Sequence, residues 1–219
     1  MKYSKYERPL LTAGGVAAIG VCVLMVTAFL TVTLMRPDYD PLTQAASLLG
    51  ESGSPYALLF NIAHFLVPGL LLILFAASLC LAVGDHASGK AAAGLVALAG
   101  LSVLLSGIFP MSPTSDTQSA IHENLGVPFF LGMPCAALLM GQALADKTGS
   151  ASLRKFSRTI GFLLIVLVAV YAPLMPTAAV PAGLFQRVYL SAIHVWLVVM
   201  GIWLLRFSKA QYPERNQTS

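Results

Sequence analysis

The chain has 219 residues, of which 57% are hydrophobic and 10% charged, with a formal net charge of +4. An ordinary soluble domain carries about 25% charged residues, so that class is excluded. No polar tract is long enough to make a second domain, and residues 1–219 are expected to form one.

Six continuous apolar runs fill most of the chain: Leu11–Met35, Ala57–Val83, Ala91–Pro110, Asn124–Ala145, Ile160–Met175 and Leu184–Leu205. Roughly 20 apolar residues, rising about 1.5 Å each, cross the hydrocarbon of a bilayer. The expected fold is all-α, a polytopic transmembrane bundle of six helices. A β-barrel is excluded because its strands alternate in short segments, whereas these runs are apolar throughout.

Span one follows a basic start but is too long for a signal-peptide core. No small-x-small cleavage site follows it before Arg36-Pro37, so it reads as an uncleaved anchor. The first outer loop then holds a short amphipathic helix. Asp40 caps it, Pro41 takes its first position, Leu42, Ala45, Ala46 and Leu49 share one face, and Gly50 ends it.

Span two carries Asn61, His64 and Pro68, which project within about 60° of one another at about 100° per residue. Span three is rich in small residues, among them Gly100, Ser102, Ser106 and Gly107, which let helices approach closely. It is placed at the centre of the bundle. In the second outer loop Ser115 or Asp116 can cap an extension of span four, lifting His122 and Glu123 onto that helix. Pro68, Pro128 and Pro134 should kink spans two and four and free backbone carbonyls. Span six carries Arg187, Ser191 and His194 on one stripe.

The charges fix a topology. Lys2, Lys5, Arg8, Lys90, Lys147, Arg154, Lys155, Arg158, Arg206, Lys209 and Arg215 fall on one side, leaving Arg36 and Arg187 on the other. The positive-inside rule puts both termini in the cytoplasm. The basic residues form short juxtamembrane clusters without interleaved aromatics, so nucleic acid is excluded as a partner. Cys22, Cys80 and Cys135 all lie in spans and imply no disulfide framework.

Ionisable residues within a bilayer are costly and mark candidate sites. Asn61, His64, His122, Glu123, Arg187, Ser191 and His194 gather toward the outer half of spans two, four and six. They outline an outward-facing polar pocket for a small molecule or lipid, with Glu123 or an anionic head group as the partner of Arg187. The competing reading is that each polar group simply fastens the bundle through neighbouring carbonyls. His64, His122 and His194 stand on different spans with no His-x-x-x-His pair, so no metal site is assigned. A haem between His64 and His194 is geometrically open, but no motif supports it. No carboxylate lies in mid-membrane, which argues against proton-coupled transport. Neither catalytic residues nor a cofactor can be named.

Arg36-Pro37-Asp38-Tyr39-Asp40-Pro41 followed by Ala46-Ser47-Leu48-Leu49-Gly50, and Ser106-Gly107-Ile108-Phe109-Pro110 leading to Asp116 and His122, carry a resemblance. With the six spans, they resemble the bacterial and archaeal membrane proteins grouped as the domain-of-unknown-function 998 family. The resemblance implies a six-helix integral membrane protein of prokaryotic origin and no established reaction. This chain departs from the family pattern after Phe109-Pro110, where Met111-Ser112-Pro113 stands and Asp116 is the nearest carboxylate. The expectation is therefore a multi-pass inner-membrane protein. Two alternatives stand beside the pocket: a metal- or haem-dependent membrane enzyme using His64, His122 and His194, and an accessory subunit that contacts a membrane-protein partner.

Overall fold

A computed structural model describes residues 7–144, 151–174 and 181–211. Lys2, Lys5, Lys147, Arg215 and the span ends Ala145 and Met175 lie outside the described residues. The described residues form six long helices: α1 (Glu7–Met35), α2 (Ala57–Val83), α3 (Ala87–Ile108), α4 (Asp116–Ala143), α5 (Ala151–Leu174) and α6 (Ala182–Gln211). Each is long and apolar enough to cross a membrane.

Most helices run beyond the apolar stretches that announce them, because polar turns extend the same backbone hydrogen-bond ladder at the bilayer surface. Ser115 stands at the N-cap of α4 and its hydroxyl accepts from the Gln118 amide at 3.3 Å. That cap adds two turns before the apolar run and puts His122 and Glu123 on the helix, as the sequence implies. The loop between α1 and α2 differs from expectation. Asp40 does take a capping role, its carboxylate accepting from the Leu42 amide at 2.9 Å and from the Thr43 hydroxyl at 2.6 Å. The turn it starts does not continue, and the only helix in the loop is a 3-10 turn at Ala46–Gly50. Residues 42–46 instead bond to the start of α6: the Leu42 carbonyl accepts from the Leu184 amide at 2.7 Å, and the Ala46 amide donates to Gln186 Oε1 at 2.8 Å. These tertiary bonds take up groups that an α-helix would have used internally.

α2 contains a π-helical stretch at Asn61–Leu66, immediately before Pro68. Proline has no amide hydrogen and its ring crowds the carbonyl four residues back, here that of His64. Widening the turn ahead of it relieves the crowding, and such bulges frequently occur at functional sites.

The helices pack in sequence order around a ring: α1 against α2, α2 against α3, α3 against α4, α4 against α5, and α6 back against α1. The last seam, α5 against α6, is much sparser. α5 is also the least enclosed helix, with Phe162, Leu163 and Val170 exposed to the surroundings. Phe75, Leu79, Val96, Met133, Trp196 and Met200 help fill the core.

α3 corrects an expectation. It occupies a place in the ring, not the centre, and its Leu98, Leu101 and Ile108 face outward. Its small residues serve two flat contacts, with α2 on one side and α4 on the other. At the first, Gly69 of α2 meets Gly100. A Cβ on Gly69 would stand 2.6 Å from the Leu104 amide nitrogen, and one on Gly100 would stand 2.9 Å from the Gly69 carbonyl oxygen. Gly15 of α1 and Gly201 of α6 meet in the same way: a Cβ on Gly201 would lie 2.8 Å from the Gly15 carbonyl oxygen. With no hydrophobic drive between helices in lipid, such backbone-to-backbone packing is what holds neighbours together.

Gly100→Ala should therefore destabilise the protein by about 1–3 kcal/mol through overpacking. Val166→Leu, on the exposed face of α5, should be nearly silent. Thermal melts in detergent compare the two.

Candidate functional site

A cavity of about 480 Å³ opens at the end of the bundle that carries the 36–56 and 109–115 loops. Met25 of α1, residues from α2 to α6, and loop residues Ala45, Ala46, Ser47 and Met111 line it. Most of the wall is apolar, with Phe65, Phe129, Phe130, Tyr171 and Phe185 supplying aromatic surface. It lies beside the sparse α5–α6 seam. Contacts that brace that seam include Tyr171 stacked on Phe185 with ring centroids 3.7 Å apart, and Ser157, whose hydroxyl accepts from Trp196 Nε1 at 3.0 Å and donates to Met200 Sδ at 3.9 Å.

Of the seven residues the sequence singles out, His64, His122 and Glu123 line this cavity. His64 is buried in the π-helical stretch and stacks on Phe60 at 4.5 Å. Its Nδ1 lies 3.1 Å from the Met25 carbonyl oxygen of α1. A carbonyl only accepts, so Nδ1 carries the hydrogen and donates. His122 is fixed in the same manner, its Nδ1 donating to the carbonyls of Ser106 at 3.1 Å and Phe109 at 2.9 Å. It thereby caps the last turn of α3, whose end carbonyls have no partner within their own helix. Phe65 stands between the imidazoles, edge-on to His64 at 5.0 Å and to His122 at 5.6 Å. Glu123, one residue on, is exposed at the cavity rim.

The other four lie elsewhere. Asn61 is buried and donates to the Gly50 carbonyl at 2.8 Å, tying α2 to the first loop. Ser191 is exposed on the outside of α6. His194 donates nothing to the cavity; its Nε2 is buried without a partner among the described residues, and its backbone carbonyl accepts from the Cys22 thiol at 3.4 Å. Arg187 turns toward α1 and the first loop. Its guanidinium lies over the Phe29 ring, 4.3 Å from the centroid, and donates to the Tyr39 hydroxyl and, at 3.3 Å, to the Gly183 carbonyl. Among the described residues no ion pair joins it to Glu123. Tyr39 in turn donates to the Gln44 carbonyl at 3.0 Å. Burial pushes the Tyr39 hydroxyl above the usual tyrosine range, opposed by the nearby Arg187 charge.

Arg36, the other basic residue at this end, is paired within its own loop. It holds Asp38 in a two-pronged bridge of 2.9 and 2.6 Å, and that bond keeps the Asp38 carboxyl below its ordinary range. Among the described residues no three His, Cys, Asp or Glu side chains gather into a group able to hold a metal ion.

Several participants escape a reading by residue type. Ser102 and Ser106 look like packing residues in a small-residue helix, yet both line the cavity. Tyr189, apolar in context, donates its hydroxyl to the carbonyls of Phe129 at 3.2 Å and Phe130 at 3.0 Å. The signal for it lies in α4: Pro134 cannot donate to the carbonyl four residues earlier, which is that of Phe130. A freed carbonyl in a spanning helix calls for a donor from a neighbour.

Six apolar helices closed into a ring define a multi-pass integral membrane protein. Residues 16–203 match the family model described as Protein of unknown function (DUF998), and the chain belongs to that family. Searches of curated proteins and of solved structures found no significant match.

Tyr189→Phe should cost about 1–3 kcal/mol by stranding the Phe130 carbonyl. Ser191→Ala, on the exposed face, should cost less than about 0.5 kcal/mol. Denaturant unfolding in mixed micelles reads both.

Proposed function

We propose that this protein binds a small amphiphile or lipid in the cavity among α2–α6, from the outer side of an inner membrane. The observation that carries this reading is the cavity itself. Its volume falls within the roughly 300–1,000 Å³ usual for small-molecule sites, its wall is apolar, and two buried imidazoles are held rigidly at it. Fastening alone explains why each Nδ1 is bonded. It does not account for a hollow beside them, since membrane bundles close on small residues wherever they can, as Gly69 and Gly100 do.

The orientation follows from the basic residues. Arg8, Lys90, Arg154, Lys155, Arg158, Arg206 and Lys209 stand at the end of the bundle where α1 begins and α6 finishes. The positive-inside rule makes that end cytoplasmic and the cavity end outward. A lateral route from the bilayer is available at the α5–α6 seam, where Tyr171 and Phe185 stack beside the cavity.

Two experiments test the reading. In a background lacking Cys22, Cys80 and Cys135, a cysteine at Ser54 or Ser115 should react with an impermeant maleimide added outside intact cells. One at Ser152 should react only after the cells are opened; the reverse pattern would turn the cavity to the cytoplasm. In the second experiment, Gly126→Leu fills the cavity. Gly126 lines it, and a Cβ there meets Phe130 only at an ordinary 3.7 Å. The variant should fold normally and lose co-purifying amphiphile by about tenfold or more in native mass spectra, the equivalent of about 1.4 kcal/mol of overpacking.

A further inference from the structure

The polar groups around the cavity share a property that narrows what can occupy it. His64 spends its Nδ1 hydrogen on Met25, and its Nε2 makes no hydrogen bond among the described residues. A neutral imidazole that donates through Nδ1 presents Nε2 as a bare lone pair. His122 is committed in the same sense to Ser106 and Phe109. Ser102 donates its single hydroxyl hydrogen to the Leu125 carbonyl, and Ser106 donates its own to the Ser102 carbonyl at 2.9 Å. What these four side chains have left for a guest is acceptor capacity. Glu123 at the rim adds a carboxylate, which when ionised only accepts.

Among the described residues the lining includes neither Lys nor Arg to balance this set. Arg187 is outside the lining: it lies over Phe29 and donates to Tyr39, and it reaches the cavity wall only through Gln186 Oε1 at 3.4 Å. Among the described residues the remaining side-chain donors of the lining are the Gln186 amide, whose oxygen accepts from the Ala46 amide, the Tyr171 hydroxyl beside the α5–α6 seam, and the Ser47 hydroxyl, which donates to Met111 Sδ at 3.2 Å. A carboxylate or phosphate head group placed here would meet lone pairs and a like charge. It would surrender its water for at most the neutral donors of Gln186 and Tyr171, with no cation to pair it, a heavy penalty for a buried charge.

Resting on the reading of the cavity as a binding site, we propose that its ligand is a single-chain amphiphile with a hydrogen-bond-donating, non-anionic head group. A primary ammonium fits best, because it only donates and its charge is opposite to that of the Glu123 carboxylate at the rim. An alcohol fits second. The apolar body lies against the aromatic wall toward the α5–α6 seam. The site discriminates by what the head group can donate, since a buried acceptor left unpaired is costly.

The full chain, reconstituted in phosphatidylcholine nanodiscs, would be titrated with radiolabelled dodecylamine, dodecanol and dodecanoate, with empty nanodiscs as the partition blank. Dodecylamine should bind at least about tenfold more tightly than dodecanoate, with dodecanol between them, a charge-assisted hydrogen bond being enough for such a ratio. Glu123→Gln, at an exposed position, should weaken dodecylamine about three- to tenfold and dodecanol by less, since only the ammonium loses an opposite charge. If dodecanoate binds as tightly as dodecylamine, and Gly126→Leu abolishes both, the donor-head class is overturned and the binding cavity stands. If none of the three exceeds the blank, both are overturned.

Discussion

In hydrocarbon a backbone carbonyl has no water to turn to, and this single constraint organises the bundle. Helical ladders satisfy most of the carbonyls. The side chains that join one helix to the next then reach for carbonyls of the neighbour. His64 of α2 donates to Met25 of α1, His122 of α4 to the end of α3, Tyr189 of α6 to α4, and Ser78 of α2 to Leu10 of α1 at 2.8 Å. Even the Cys22 thiol serves, donating from α1 to His194 of α6. Each bond is modest alone, about 0.6 kcal/mol on average for side-chain bonds between membrane helices. Together with the glycine contacts they set which helix lies beside which.

The same constraint produces the site. Prolines in α2 and α4 remove donors from the ladder, and the chain compensates locally. A π-helical stretch before Pro68 turns His64 toward α1, and Tyr189 answers the carbonyl that Pro134 leaves free. Once both imidazoles have given their Nδ1 hydrogens to fastening, their remaining nitrogens become available for something else. Under the proposed reading, fastening and binding are therefore not rival roles for these histidines: one ring nitrogen fastens, and the other is the one proposed to meet a guest.

The hollow persists because α5 is held weakly against α6. A Trp–Ser bond and an aromatic stack brace the seam, and little else joins the two helices. The loop between α1 and α2 closes the end of the bundle nearby. It is pinned to α6 through Leu42 and Ala46, and to Arg187 through Tyr39. Arg187 is thus better understood as a rivet of the loop, cushioned on Phe29, than as a ligand-binding cation.

The sequence by itself determined the number of spans, the helical class and the cap of α4, because those depend on local quantities: run length, apolar content and hydrogen bonding within one segment. It also marked His64, His122 and Glu123 as polar groups at an improbable depth. It misplaced α3, because small residues announce close contact without saying on how many sides. It grouped Arg187, Ser191 and His194 with the histidines of other spans, because a helical stripe fixes only direction about one axis. Which stripe faces a cavity, which a neighbour and which the surroundings is set by the rotation of each helix in the ring. That rotation follows from Gly69 meeting Gly100, Gly15 meeting Gly201, and donors finding carbonyls across seams. These pairings are between residues far apart in the chain, and only the tertiary structure brings them together.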